Sequence, residues 1–301
     1  MTTTEGRATM PVVRTRAALR DALTTAGRPL GLVPTMGWLH AGHRSLMQRA
    51  RRDNATTIAT IFVNPRQFNE AADYQRYPRN EARDLAICAE EGIDIVFAPG
   101  VDEVYPPGFD TIVTVGAVAR PLEGAARPGH FDGVATVVAI LFDLIGADRA
   151  YFGQKDAQQA MVIRQMARDL AIPIEVIACP TVREPDGLAL SSRNVHLSPA
   201  ERAAAPVLRR ALLAARARWE SGERSADALR AAMAEVLATE SLATPAYVSV
   251  ADERTLAELD HLADREPALL SLAVHFGSTR LIDNESIDDG KTRGTTSRGP
   301  V

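Results

Sequence analysis

Two imidazoles three positions apart, with one glycine before them and one between them, make Pro34-Thr35-Met36-Gly37-Trp38-Leu39-His40-Ala41-Gly42-His43 the most chemically suggestive stretch of the chain. Residues 31–34 read as a short apolar strand, and a helical pattern starts at Gly42. A strand that turns into a helix start directs unpaired backbone N–H groups at an anion, most often phosphate. Gly37 and Gly42 let the main chain approach such a ligand with no Cβ in the way. Residues three apart share a helix face, so the His40 and His43 rings can reach one phosphate chain. Zinc is the weaker alternative: the pair lacks the i, i+4 spacing and the glutamate of a zincin helix, and no Cys/His cluster lies nearby. The local chemistry is that of a nucleotide.

A second cationic position stands apart. Of the 34 Lys and Arg residues, only Lys155 and Lys291 are lysine. Lys155 falls in Gly153-Gln154-Lys155-Asp156, another strand-to-helix turn, where a compact charge on a flexible stem suits phosphate. Asp156 there serves equally well as a partner for the helix dipole, and the amides Gln158 and Gln159 follow it. Phe62-Val63-Asn64-Pro65-Arg66-Gln67-Phe68 ends an apolar run in amides. Asn64 and Gln67 there suit a small polar substrate, or form an ordinary turn whose amides are satisfied internally. Arg127-Pro128-Gly129-His130-Phe131-Asp132-Gly133 opens an apolar helical pattern, and its polar groups are expected to cap that helix. Hydroxyls beside an arginine, Ser191-Ser192-Arg193, suit triphosphate oxygens. Walker A, GxGxxG and GxSxG motifs are missing, which argues against a P-loop enzyme, a dinucleotide enzyme and a seryl hydrolase.

These residues need elements to hold them. Strands are expected at 31–34, 57–63, 94–97, 111–115, 149–152 and 174–177, and helices at 42–53, 80–92, 133–146 and 157–170. The alternation predicts an α/β domain with a mostly parallel sheet and right-handed crossovers. Ligands bind such sheets beyond the carboxyl ends of the strands, where both glycine-bearing turns lie. After Thr181 the texture changes to Ala/Arg/Glu-rich helical stretches at 199–221 and 225–239, then apolar runs at 246–250, 269–274 and 279–282. That predicts a smaller α+β domain with an antiparallel sheet. Ser198-Pro199-Ala200-Glu201 reads as a helix start with Ser198 at the N-cap and Glu201 three positions on.

Composition narrows the class. The chain has 301 residues, 46% of them hydrophobic, enough for a sizeable core and for two domains. A net charge of −4 advertises no nucleic-acid or anionic-membrane surface. Residues 1–7 include Glu5 and lack the apolar core of a signal peptide, and no apolar run nears the roughly 20 residues needed to span a bilayer. Cys88 and Cys179 lie far apart in apolar contexts, as expected of buried thiols in a reducing compartment. The expectation is a cytoplasmic protein with no membrane or nucleic-acid partner.

Taken in order, Pro34-Thr35-Met36-Gly37 with His40-Ala41-Gly42-His43, Phe62-Val63-Asn64-Pro65 with Gln67-Phe68, Tyr77-Pro78-Arg79, Arg127-Pro128-Gly129-His130-Phe131, Tyr151-Phe152-Gly153 with Lys155-Asp156, and Ser191-Ser192-Arg193-Asn194 resemble the pantothenate synthetase family. The likeness runs from about Val12 to Asn284. It implies a Rossmann-like ATP- and pantoate-binding catalytic domain of the nucleotidyltransferase superfamily over 1–181. A smaller C-terminal α+β domain over 182–284 would close over the site, with a disordered tail at 285–301. It also implies a homodimer and an ATP-dependent ligase joining pantoate to β-alanine through a pantoyl adenylate, with release of AMP and diphosphate.

Carried over position by position, His43, His40, Lys155 and Arg193 would be catalytic. Met36, Gly37, Trp38, Leu39, His40, Ala41, Gly42 and His43 would bind ATP, together with Gly153, Gln154, Lys155, Asp156, Val182, Leu190, Ser191, Ser192 and Arg193. Gln67 and Gln159 would bind pantoate, Gln67 would also meet β-alanine, and Mg²⁺ would bridge the phosphates. Four positions depart from the family pattern. Leu190 stands where methionine is usual, Ala41 where glutamate is, and Ala157 where a bulkier residue is. Arg83 replaces the first of two acids, leaving Asp84 alone there to hold a cation. Two rivals remain: a plain adenylyltransferase, and a nucleotide-binding scaffold without turnover.

Overall fold

A computed structural model describes residues 10–263 and 266–288. The chain divides into two compact units, Met1–Val182 and Arg183–Val301.

The first unit is built on six parallel strands: β1 (Val12–Val13), β2 (Leu30–Thr35), β3 (Thr56–Ile61), β4 (Ile95–Phe97), β5 (Arg149–Gly153) and β6 (Glu175–Cys179). Their spatial order is β1-β4-β3-β2-β5-β6. Around the sheet lie α1 (Arg16–Leu23), α2 (Ala41–Asp53), α3 (Ala71–Arg76), α4 (Glu81–Glu90), α5 (Val101–Val104), α6 (Glu123–Ala126), α7 (His130–Ile145) and α8 (Ala157–Asp169). Leu30, Leu32 and Val33 in β2, and Ile58 and Ala59 in β3, are buried, as strands covered on both faces require. α7 buries residues on most of its girth and ends at Gly146, whose left-handed backbone returns its N–H to the Phe142 carbonyl.

The strand order fixes where chemistry can happen. From β2 the chain builds the sheet outward through β3 and β4, then returns beyond β2 to lay down β5 and β6. β2 and β5 are therefore neighbours, with Gly31 opposite Arg149 and Leu32 opposite Ala150. A reversal of this kind opens a crevice at the carboxyl ends of the two strands. The turns that leave β2 and β5 carry His40 and Lys155.

Several expectations change. Residues 111–115, Thr-Ile-Val-Thr-Val, are all β-branched as a strand would favour, but they pair with no strand among the described residues. The Val113 N–H donates instead to Thr136 Oγ1 on α7 at 3.0 Å. β propensity needs a neighbouring edge to become a strand, and none is offered. β1, with two residues, is too short to show a pattern. α7 starts at His130 rather than Gly133, behind Gly129 in a left-handed conformation with no side-chain cap. The polar residues expected to cap this helix do other work.

The second unit has an antiparallel sheet of β7 (Thr244–Asp252), β8 (Ala268–Phe276) and β9 (Thr279–Ile287), in that order. Its helices are α9 (Pro199–Ala204), α10 (Val207–Glu220) and α11 (Ala226–Leu237). Ser198 and Glu201 form the expected capping box on α9. The single helix expected over 199–221 breaks at Pro206, which has no N–H to continue the ladder and begins α10 instead. Leu208, Ala211 and Leu212 of α10 and Leu229 and Met233 of α11 form one core with Leu270, Leu272 and Val274 of β8. Arg183 makes a bidentate pair with buried Asp283 at 2.7 and 3.0 Å, tying the first loop of this unit to β9. β9 runs to Ile287, so residues 285–287 of the expected tail belong to a strand, and residues 289–301 lie outside those described.

Candidate active site

β2 ends at Thr35, whose hydroxyl donates to the Thr60 carbonyl at 2.6 Å and accepts the Gly37 N–H at 3.1 Å. The chain then takes two left-handed residues in succession, Gly37 at φ +76° and Trp38 at φ +51°. The first requires glycine twice over, since a Cβ there would also sit 2.8 Å from Asp84 Oδ2. The second is a strained conformation for a bulky side chain, and strain of this kind persists only where neighbours enforce it. Asp84 enforces it. One carboxylate oxygen accepts the Trp38 N–H and the other the Leu39 N–H, both at 2.8 Å. The preceding residue completes the clamp: Arg83 donates to the Leu39 carbonyl at 2.8 Å, and its guanidinium lies 5.3 Å from the Trp38 ring centre.

The clamp occupies groups that a ligand would otherwise meet. The backbone N–H groups of residues 37, 38 and 39 are engaged by the protein itself. Asp84 is 1% exposed with both oxygens on backbone N–H groups, so it is not poised to hold a cation. Among the described residues no group of three His, Cys, Asp or Glu could hold a metal ion.

His40 caps α2, and the two histidines lock each other. His40 Nδ1 accepts the Gly42 N–H at 3.1 Å, and His43 Nδ1 accepts the His40 N–H at 3.2 Å. The rings lie 4.1 Å apart, tilted by 45°. A ring nitrogen that accepts carries no proton, so each neutral imidazole bears its hydrogen on Nε2. Burial, then the neighbouring His40, pushes His43 down to about 3. His40 is lowered as well, first by burial and then by the charge of Lys155. Both rings are neutral Nε2–H donors at neutral pH.

Lys155 arrives from β5 through the 3₁₀ turn Gln154–Asp156. Its charge lowers His40, so the cation of one turn lies within electrostatic reach of an imidazole of the other. Asp156 is the nearest acid, 3.9 Å from Lys155 Nζ, and is much more exposed than the lysine. In the first turn of α8 the two glutamines divide. Gln158 is buried and structural: it accepts the Glu123 N–H at 3.0 Å and donates to the Val118 and Pro121 carbonyls. Half-buried Gln159 makes no side-chain hydrogen bond among the described residues.

The amides of residues 64–67 divide the same way. Asn64 is buried, accepts from the Tyr105 hydroxyl at 2.8 Å, and donates to the Gly133 carbonyl at 3.0 Å and to Gln67 Oε1 at 3.1 Å. It is a scaffold residue, not the substrate amide that was one of its two readings. The Gln67 side-chain oxygen is thus held, while its amide nitrogen has no hydrogen-bond partner among the described residues.

Relatives with the same architecture are many. The model of the pantoate–β-alanine ligase family matches residues 11–286. The chain belongs to that family. Pantothenate synthetase from Roseiflexus castenholzii is 60% identical over 275 residues, which is 91% of this chain and 98% of that protein. The structure of pantothenate synthetase from Thermus thermophilus matches with a TM-score of 0.86 at 50% identity, covering 92% of this chain and 99% of that one. The pantoate–β-alanine ligase of Francisella tularensis, solved with beta-gamma ATP and β-alanine, matches with a TM-score of 0.74 at 32% identity and covers 92% and 97%.

The first unit of this ligase-family chain places His40, His43, Lys155 and Asp156 within electrostatic reach of one another and fixes Gln67. Ser191, Ser192 and Arg193 belong to the second unit. There Ser191 caps a 3₁₀ turn, its hydroxyl accepting the Arg193 N–H at 3.2 Å, and Arg193 is exposed with no side-chain hydrogen bond among the described residues. Leu190 is half-buried beside them. Sequence reasoning missed the part of Asp84, because a carboxylate some 45 positions from the turn it clamps leaves no local signal. It also missed that Arg127 and His130 turn to Gln67. The absence of a capping side chain at Gly129 was the available hint.

Proposed function

We propose that the chain joins pantoate to β-alanine with ATP to give pantothenate, and so acts as an AMP-forming ligase in pantothenate biosynthesis. In the first step a pantoate carboxylate oxygen attacks the α-phosphorus, and diphosphate leaves from a pantoyl adenylate. In the second the β-alanine amine attacks the acyl carbon, the new C–N bond forms with loss of a proton, and AMP leaves. Membership of the ligase family supports the overall reaction. One arrangement supports the site: two neutral Nε2–H donors follow β2 and the Lys155 turn follows the adjacent strand β5, with the lysine charge felt at His40.

Attack of one anion on another needs positioning and charge cancellation more than a covalent nucleophile. Lys155 supplies the charge. His40 and His43 donate hydrogen bonds to phosphate oxygens as charge moves onto them, and His43 takes no proton, because pantoate has none to give at neutral pH. Residues 36–43, 153–156 and Val182 of the first unit are ATP-binding residues in this reading, and so, by the family pattern, are Leu190, Ser191, Ser192 and Arg193 of the second. Gln67 and Gln159 hold pantoate, and Gln67 also meets β-alanine. Among the described residues no group of three His, Cys, Asp or Glu could hold a metal ion, and Mg²⁺ would travel with the nucleotide's own phosphates. The reading extends to a cytoplasmic homodimer. No helix among the described residues is long and apolar enough to cross a membrane.

The reaction itself is tested by supplying ATP, pantoate and β-alanine and following AMP. Release that requires all three substrates is expected. Adenylylation of a phosphorylated acceptor, with no AMP released in response to the amine, would favour a plain adenylyltransferase.

A further inference from the structure

Arg127 and His130 converge on one atom, the main-chain oxygen of Gln67. Arg127 donates to it at 3.2 Å, and His130 Nδ1 lies 2.9 Å from it. The other ring nitrogen, Nε2, lies 3.1 Å from Arg127 Nη1. A guanidinium only donates and a carbonyl only accepts, so the contacts settle the tautomer: Nε2 takes the Arg127 hydrogen and Nδ1–H donates to Gln67. This is the reverse of His40 and His43. Protonating His130 would set two cations side by side and forfeit the Arg127 contact; burial, then Arg127, holds it down to about 4.

The same corner is closed from a second side. Gly133 lies one turn into α7, and a Cβ there would overlap the Arg66 carbonyl and sit 2.8 Å from the Gln67 nitrogen. Its carbonyl accepts from Asn64, which also holds Gln67 Oε1. The main-chain oxygen and the side-chain oxygen of Gln67 are thereby both fixed, and only its amide N–H groups are left to face a ligand.

We propose that Arg127 and His130 are positioning residues for the acid substrate, acting through Gln67, so that pantoate affinity depends on them and nucleotide affinity does not. The inference rests on the reading of Gln67 as a pantoate ligand. Neither residue touches pantoate in this account. They fix the backbone from which the amide reaches.

Steady-state kinetics on the full chain, varying pantoate and ATP separately, test it. His130→Ala should raise the pantoate KM about tenfold, the worth of one well-placed hydrogen bond, and leave the ATP KM unchanged. His130→Asn carries an amide N–H where Nδ1–H stood and should restore most of the loss. In a Gln67→Ala background, His130→Ala should raise the pantoate KM no further, since the group it positions is gone. Equal rises in both KM values, or a full additive effect on top of Gln67→Ala, would overturn the proposal. Where His130→Ala does not fold, Arg127→Met, at the end of a short helix, is read by the same comparison. A Gln67→Ala variant with normal pantoate KM would instead overturn the assignment of Gln67 itself. A Gln67→Ala defect with a silent His130→Ala would overturn only the positioning role.

Discussion

His43 Nδ1 accepts the backbone N–H of His40 at 3.2 Å, so the α2 cap decides which nitrogen of the His43 ring carries its proton. His40 is fixed in the same sense by Gly42. A helix start that would ordinarily leave its amides for a ligand uses them to hold two rings, and the rings become the donors.

Nitrogen NMR of the free protein reads this directly. The His43 ring should stay neutral, with hydrogen on Nε2 and a bare Nδ1, across about pH 5 to 8, because its pKa is pushed far below the ordinary 6.5. A ring doubly protonated near neutrality, or one with hydrogen on Nδ1, is incompatible with the capping geometry.

Asp84→Ala should lower stability by about 2–4 kcal/mol, because it strands two backbone N–H groups and releases the strained Trp38. Asp84→Asn keeps one acceptor and should fall between. Denaturant unfolding measures both. The Mg²⁺ concentration for half-maximal rate should not move in Asp84→Asn. Normal stability with a shifted Mg²⁺ requirement would make Asp84 a metal ligand after all.

Buried His130 makes stability sensitive to acid. Its folded pKa of about 4 lies below the ordinary 6.5, so the unfolded chain takes up the proton first. Stability present above pH 6.5 is therefore lost as the pH falls toward 4, by about 3 kcal/mol from this residue alone. His130→Asn removes the titrating group while keeping the donor to Gln67. Its unfolding free energy should fall less steeply over that interval, and a slope equal to the parent's would refute the assignment.

Much of this was legible because it is local. The 31–34 run ending in glycine and histidine fixes β2 and α2, since strand, turn and helix follow one another within a dozen residues. Ser198, Pro199 and Glu201 declare the start of α9 in the same way. What could not be read is non-local. The pairing of β2 with β5 brings the Lys155 turn to the strand beside the one that leads to His40, and nothing in either segment names its neighbour. Asn64 and Gln67 are alike as amides, and only the contacts of Asn64 with Tyr105 and Gly133 separate scaffold from candidate ligand. Residues 111–115 show the opposite failure: a sound local pattern without a partner to complete it.

Oxygen-18 scrambling between the β-nonbridging and α,β-bridging positions of ATP, with pantoate present and β-alanine withheld, most directly tests whether His40, His43 and Lys155 act together on one triphosphate. The account predicts pantoate-dependent scrambling in the parent, slower by about 10²–10³ in His43→Ala and in Lys155→Ala while both remain folded. Scrambling at the parent's rate in either variant, or none in the parent with pantoate bound, would contradict it.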